Sequence, residues 1–335
     1  MGAARWYRLG IGLVLVVVAL WVLLSRLDPI WNGHPAYPTT LFVTIAIGVS
    51  LIGFALWPWR RDPEPNGPPW ESNSAPAART VGGAGRGWRV TGRIVGGVLA
   101  LLLVVALVWL RPYPAGASAL GALTPDELVT VVDAPTTIEL VPAVPKDPEV
   151  GLVFSPGALV DPRAYADLLR PLAEAGYLVV ILKEPFDLAI VQPGQSAGPI
   201  DDHPEIARWV VGGHSLGGVT ASAFAADNPA TVNGLLLWAS YPSGDLSGAT
   251  DLEVTSISGS NDQLATPADI QESRSKLPPD TDFVQIAGGI HAYFADYGEQ
   301  PGDGAPGIDR DTASAEIVAA SLALLDRVGT AAPPA

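Results

Sequence analysis

In the run Trp209-Val-Val-Gly-Gly-His-Ser-Leu-Gly-Gly-Val219 a single serine stands among four glycines, and few folds accommodate that arrangement. Apolar Trp209, Val210 and Val211 predict the end of a buried strand, and Val219 to Ala226 continues as an alanine-rich helix. Gly213-His214-Ser215-Leu216-Gly217 fits G-x-S-x-G, a bend that forces the serine out of the chain with its hydroxyl exposed. Glycine is needed around it because neighbouring backbone passes where a Cβ would clash.

The flanking sequence has the matching rhythm. Val150 to Ser155, Tyr177 to Leu182, Val232 to Ala239, Glu253 to Ser258 and Asp282 to Ala287 predict strands, and Thr136 to Val141 alternates well enough for another. Asp161-Pro162 opens a helix whose Tyr165, Leu168, Leu169 and Leu172 share one face, and Gly176 stops it. Thr124-Pro125-Asp126-Glu127 carries the marks of a helix start, and a capped helix from about Asp309 to Val328 presents Ile317, Ser321, Leu325 and Val328 together. Lys183 to Pro204 reads as loop. Apolar strands alternating with helices predict an α/β domain, a mostly parallel sheet covered on both faces, over residues 124–335.

The first 110 residues are different in kind. Residues 9–25, 39–59 and 94–110 are three charge-free apolar runs, each close to the length needed to cross a bilayer as a helix. No small-x-small cleavage site follows the first, so a removed signal peptide is not expected. Eight of the ten tryptophans lie between Trp6 and Trp109, mostly at the ends of these runs, where an indole can straddle the headgroup region. Arg5, Arg8, Arg60, Arg61, Arg79, Arg86, Arg89 and Arg93 fall on one side and only Arg26 and Arg111 on the other. This asymmetry predicts a multi-pass membrane protein with a cytoplasmic N-terminus and the domain outside. Residues 60–93, rich in Pro, Gly, Ala, Ser and Arg, are expected to be a disordered cytoplasmic linker, and residues 111–123 a short linker leading into the outer domain.

Charge narrows the partners. The chain carries +5 up to Leu110 and −20 from Arg111 onward, which argues against a nucleic-acid partner because phosphates would be repelled. There is no cysteine, so disulfides, thiolate metal sites and a Cys nucleophile are excluded. No carboxylate cluster with matching histidines is visible, and no metal is expected.

A serine hydroxyl becomes a useful nucleophile only with a base, itself oriented by an acid. Strand 253–258 ends in Gly259-Ser260-Asn261-Asp262, and strand 282–287 ends in Gly288-Gly289-Ile290-His291. Both Asp262 and His291 therefore fall at carboxyl ends of strands, where open sheets build their sites. Of the four histidines, His34 lies between the first two apolar runs, His203 precedes the strand leading to Ser215, and His214 is expected to pack beneath the bend. His291 remains as the base. Asp262 is the expected acid, with Asp251 and Asp269 as alternatives. Two backbone N–H groups should hold the oxyanion: Leu216, after the serine, and Gly157 or Ala158 in the turn after strand 150–155. Only about a dozen residues separate Ala239 from the next strand, leaving no room for a large lid, and Tyr241 is expected to line an open substrate site.

Together Gly213-His-Ser-Leu-Gly-Gly218, Ser258-Gly-Ser-Asn-Asp262 and Gly288-Gly-Ile-His291 resemble the nucleophile, acid and histidine motifs of the α/β-hydrolase superfamily. With Ser155-Pro-Gly-Ala-Leu-Val-Asp-Pro162 and His291-Ala-Tyr-Phe-Ala-Asp-Tyr-Gly298, the pattern is similar to the bacterial dienelactone-hydrolase-like branch over residues 130–328. It departs from dienelactone hydrolases in having Ser215 where they use cysteine, and from many esterases in having Pro156-Gly157 in place of His-Gly. The resemblance implies hydrolysis of a small-molecule or lipid-like ester, or a related acyl bond, with no metal or organic cofactor. Acyl transfer to an envelope acceptor and a catalytically silent binding or sensor module are the competing expectations. No feature of the sequence identifies a protein partner.

Overall fold

A computed structural model describes residues 3–57, 84–145 and 148–331. The chain divides into two units: residues up to Ser25 together with Thr39–Arg111, and Arg26–Pro38 together with Pro112 onward. The short segment between the first two apolar runs thus belongs with the C-terminal domain.

Four helices come first: α1 (Ala3–Ser25), α2 (Leu27–Asn32), α3 (Ala36–Leu56) and α4 (Ala84–Trp109). Ala4–Ser25, Ala36–Leu56 and Val90–Trp109 are each long and apolar enough to cross a membrane. Large apolar side chains such as Leu13, Phe54, Leu101 and Leu102 are left exposed along them, as a lipid-facing surface requires. In the first unit α1 and α3 approach closely where Gly12 faces Gly48; a Cβ on either would come within 2.7 Å of the other's carbonyl oxygen. Helix α3 starts three residues earlier than expected because Pro38 falls in its first turn, where the missing N–H is harmless. It ends at Leu56, short of the predicted Trp59, since a residue preceding proline (here Trp57 before Pro58) disfavours helix.

Of the predicted linker 60–93, residues 60–83 lie outside the described residues, while 84–93 are helical. That stretch lacks proline, and extending an existing helix adds a hydrogen bond for each residue fixed.

The linker stretch 111–123 carries structure of its own. Helix α5 (Ala117–Ala122) buries Ala119 completely, and the Gly116 N–H donates to the Asp296 carbonyl at 2.6 Å. The helix expected from Thr124 does not form. Asp126 Oδ1 instead accepts the Leu128 and Val129 N–H groups at 2.8 and 3.0 Å, a local turn that competes with helix and leads into β1 (Val129–Asp133).

After β1 the chain builds β2 (Thr137–Pro142), β3 (Val150–Ser155), α6 (Ala166–Glu174), β4 (Leu178–Leu182), α7 (Ala197–Asp202), β5 (Arg208–His214), α8 (Leu216–Asp227), β6 (Val232–Trp238), β7 (Glu253–Gly259), α9 (Pro267–Ser273), β8 (Asp282–Ile286) and α10 (Arg310–Thr330). The eight strands form one sheet in the order β1-β2-β4-β3-β5-β6-β7-β8. β1, β2 and β4 pair antiparallel, and every other pairing is parallel.

Burial on two faces explains the continuous apolar strands. Leu152, Val210, Leu236 and Ile257 face α6 and α10 in one core, whereas Val211, Leu235 and Leu237 pack on Ala221, Phe224 and Ala225 of α8 in another. Ile317, Ser321, Leu325 and Val328 of α10 are all buried, as their spacing predicts. Ser321 is polar in that row because its hydroxyl receives the indole N–H of fully buried Trp238 at 3.0 Å. Truncating Trp238 to alanine would cost about 3–5 kcal/mol. β3 is where the strand order reverses, so its carboxyl end and that of β5 flank the crevice in which open α/β sheets place their sites.

Candidate active site

At the end of β5 the chain turns into α8 through Ser215, whose backbone stands at φ 51° and ψ −121°. A non-glycine residue in this region is strained, by about 1–3 kcal/mol, and persists only where its surroundings fix it. Here they do: the Ser215 N–H donates to the Trp238 carbonyl at 3.0 Å, and its own carbonyl accepts the Ser240 hydroxyl at 2.6 Å. A Cβ on Gly213 would strike the backbone of Gly217 and Gly218, and one on Gly217 the carbonyls of Ser155 and Pro156. The glycines therefore let β3, the bend and the first turn of α8 come together. Leu216 is the first residue of α8, where a backbone N–H has no partner within the helix.

Asp262 follows the end of β7 and is completely buried. Its Oδ1 accepts the Leu264 and Ala265 N–H groups at 2.7 and 2.8 Å, and its Oδ2 lies 2.8 Å from His291 Nδ1. Of the alternative acids, Asp269 is occupied in the capping box of α9 with Thr266, and Asp251 is exposed in a turn.

His291 opens a short 3-10 turn after β8, buried at 1% exposure. Its ring centroid is 4.5 Å from that of His214, the residue before Ser215, which brings the β8 loop to the β5 bend. His214 is buried beneath the bend, as expected, and its Nδ1 meets the Tyr165 hydroxyl at 2.9 Å. Burial, and then the nearby His291, hold His214 well below the usual imidazole range, so it stays neutral. His203, near the start of β5, bonds Glu205 at 2.8 Å, far along the strand from this cluster.

In the turn after β3 the Gly157 N–H donates to the Tyr165 hydroxyl at 2.7 Å. Ala158 is the remaining amide of that turn, since Pro156 has none and the Leu159 and Val160 N–H groups bond the Asp187 and Gly157 carbonyls. Tyr241 is 39% exposed and adjoins Ser240, the residue that holds the Ser215 carbonyl. Residues 239–252 carry turns only, with no lid helix. Among the described residues no group of three or more His, Cys, Asp or Glu side chains is placed to hold a metal ion.

The strained serine at the β5 bend, the acid after β7 and the histidine after β8 all fall within the segment that a family model matches. Residues 151–314 match the model of the alpha/beta hydrolase family. The C-terminal domain has the α/β-hydrolase fold. Among solved structures, a dienelactone hydrolase-like promiscuous phosphotriesterase from metagenomic libraries is 17% identical, with a TM-score of 0.44, covering 60% of this chain and 96% of that one. A predicted CIB-like hydrolase from Thermoplasma acidophilum is 16% identical, with a TM-score of 0.41, covering 58% and 97% respectively. No curated protein matches the chain in sequence.

Three supports of this candidate site were not foreseen from sequence. Asp303 Oδ1 accepts the His291 and Gly304 N–H groups at 3.1 and 2.7 Å, and Oδ2 accepts the Ala292 N–H at 2.8 Å, clamping the histidine loop from across the 298–306 segment. Tyr165 ties the Gly157 turn to His214. Glu184, buried after β4, accepts the Ser155 hydroxyl below the Pro156–Gly157 turn, and burial pushes its carboxyl up to about 8. The flanking glycines of Gly302-Asp303-Gly304 are the one local signal for Asp303; Glu184 and Tyr165 gain their partners only through the fold.

Proposed function

We propose that this α/β-hydrolase domain is a serine hydrolase of ester or related acyl bonds, carboxylesterase in type, held at the outer face of the membrane by its three N-terminal spans. The observation that carries this reading is the buried Asp262–His291 pair, 2.8 Å apart, brought beside the bend that carries Ser215. In the reaction Ser215 Oγ attacks the acyl carbonyl while its proton passes to His291 Nε2. Asp262 holds the Nδ1–H and stabilises the imidazolium that forms. The Leu216 and Ala158 amides receive the oxyanion. Collapse of the tetrahedral intermediate breaks the ester bond, and His291 returns the proton to the departing alcohol. Water, deprotonated by His291, then attacks the acyl carbonyl; the bond to Ser215 Oγ breaks, the acid departs, and His291 returns the proton to Ser215. Tyr241 flanks the substrate.

The absence of any helix in residues 239–252 favours an open site for a modest or surface-exposed ester. An odd number of spans puts residues 26–38 and the hydrolase domain on one side of a membrane, consistent with their contacts within one unit. The arginine asymmetry assigns that side to the exterior.

The test is turnover of p-nitrophenyl esters of graded chain length by the full chain in detergent micelles. Ser215→Ala should lower turnover by about 10⁶; an undiminished rate would remove Ser215 from the mechanism.

A further inference from the structure

The turn after β4 is unusual. Phe186 and Asp187 both adopt left-handed backbone, at φ 60° and 53°, although neither is glycine. Across from them Leu159 is left-handed too, at φ 62°, and its N–H donates to the Asp187 carbonyl at 2.7 Å. The strained turn therefore holds the residue next to Ala158. A few residues earlier Glu184 accepts the hydroxyl of Ser155, so the 184–187 turn grips both ends of the Pro156–Ala158 segment.

Such conformations persist only where neighbours over-determine them, and some of those neighbours come from residues 26–38. Tyr37, buried at 2% exposure, sets its ring edge-on to Phe186, with centroids 5.9 Å apart and planes at 70°. Asp28 Oδ2 meets Arg163 Nη2 at 2.6 Å, and the same guanidinium forks onto Asp161, at 3.0 Å from Nε and 2.6 Å from Nη2. Asp161 in turn terminates the 157–160 turn: its N–H donates to the Tyr113 carbonyl, whose residue's N–H bonds the Leu159 carbonyl. Ile30 is almost fully buried in the same segment. Two separate side chains of the inter-span segment thus reach the two sides of the turn that carries Ala158.

We propose that residues 26–38 are a working part of the hydrolase site: Tyr37 and Asp28 are positioning residues that fix the Phe186–Asp187 turn and Arg163, and through them the Ala158 amide. The proposal rests on the serine-hydrolase reading for its catalytic consequence. Its structural half stands by itself. It makes activity depend on the path of the chain between the first two spans, so that whatever displaces this segment loosens the oxyanion turn.

The experiment uses the full chain in detergent micelles, with Tyr37→Ala, Tyr37→Phe and Asp28→Asn beside the parent. Two quantities are measured: hydrogen exchange of the amides in residues 157–160, and kcat and KM on p-nitrophenyl acetate. Tyr37→Ala should speed exchange at Leu159 at least tenfold and lower kcat at least tenfold, with KM changed less than twofold. Tyr37→Phe keeps the ring and should restore both, and Asp28→Asn should shift both in the direction of Tyr37→Ala by a smaller factor. Unchanged exchange at Leu159 in folded Tyr37→Ala overturns the proposal. Faster exchange with unchanged kcat overturns its catalytic half. A parent chain whose turnover survives Ser215→Ala counts against the serine-hydrolase reading, and exchange at Leu159 still decides the coupling.

Discussion

Oδ2 of Asp262 and Nδ1 of His291 lie 2.8 Å apart, and both side chains are buried. The other carboxylate oxygen is already satisfied by two backbone N–H groups, so the acid cannot rotate away from the imidazole. A buried carboxylate fixed from three directions orients one histidine tautomer, with Nδ1–H toward the acid and Nε2 free to take a proton.

Asp262→Asn preserves shape but offers an amide where a carboxylate stood. In the serine-hydrolase reading kcat should fall by about 10³–10⁴. Asp269→Asn provides the contrast: it weakens the α9 capping box, at a cost of about 0.5–2 kcal/mol in stability, and should leave kcat within about twofold. Steady-state kinetics with thermal melts on both variants separates the two aspartates.

Asp303 holds the histidine loop through two backbone bonds, from the His291 and Ala292 N–H groups. Asp303→Ala should lower kcat by about 10–100-fold, the equivalent of one or two lost charge-assisted hydrogen bonds, with little change in KM. Asp303→Asn, which can still accept, should recover part of it. Equal losses in kcat and in folded fraction would reduce Asp303 to a purely structural role.

Glu184 gives the domain a pH signature. Its folded carboxyl sits near 8 against an ordinary 4.5, because burial disfavours the charge more than the Ser155 hydroxyl favours it. A raised acid stabilises the fold fully below about 4.5, and that contribution is lost as pH climbs through about 8. Glu184→Gln, which keeps an acceptor for Ser155, should remove this part of the decline, so the melting-temperature gap over the parent widens between pH 5 and pH 8. A gap independent of pH would contradict the assignment.

For topology, a reporter fused after Ala335 should be active only when exported, and one inserted within residues 60–83 only in the cytoplasm. The opposite pattern would reverse the proposed orientation.

The legible parts of this chain are those written in local patterns. The bend at Ser215 needs glycines at fixed offsets, so its strand-turn-helix context could be read directly. Continuous apolar strands announced the doubly covered sheet, and the spacing of Ile317, Ser321, Leu325 and Val328 gave the buried face of α10. Asp262 and His291 were readable because strand ends are marked by Gly259 and by Gly288-Gly289. What stayed hidden depends on distant pairing. The bond between the Gly157 N–H and Tyr165 could not be foreseen, because Tyr165 reaches the turn only through the fold. Thr124 to Glu127 looked like a helix start because capping signals are local, and the Asp126 turn ahead of β1 won. Residues 26–38 read as a bare inter-span loop, since nothing in their own pattern reveals Phe186 and Arg163 as partners.

An activated Ser215 should reveal itself when the full chain is treated with a fluorophosphonate and the adduct is mapped by peptide mass spectrometry. One phosphonyl group is expected on the peptide containing Ser215, absent in Ser215→Ala and strongly slowed in Asp262→Asn. A folded protein that takes up no label, or takes it up elsewhere, would contradict it.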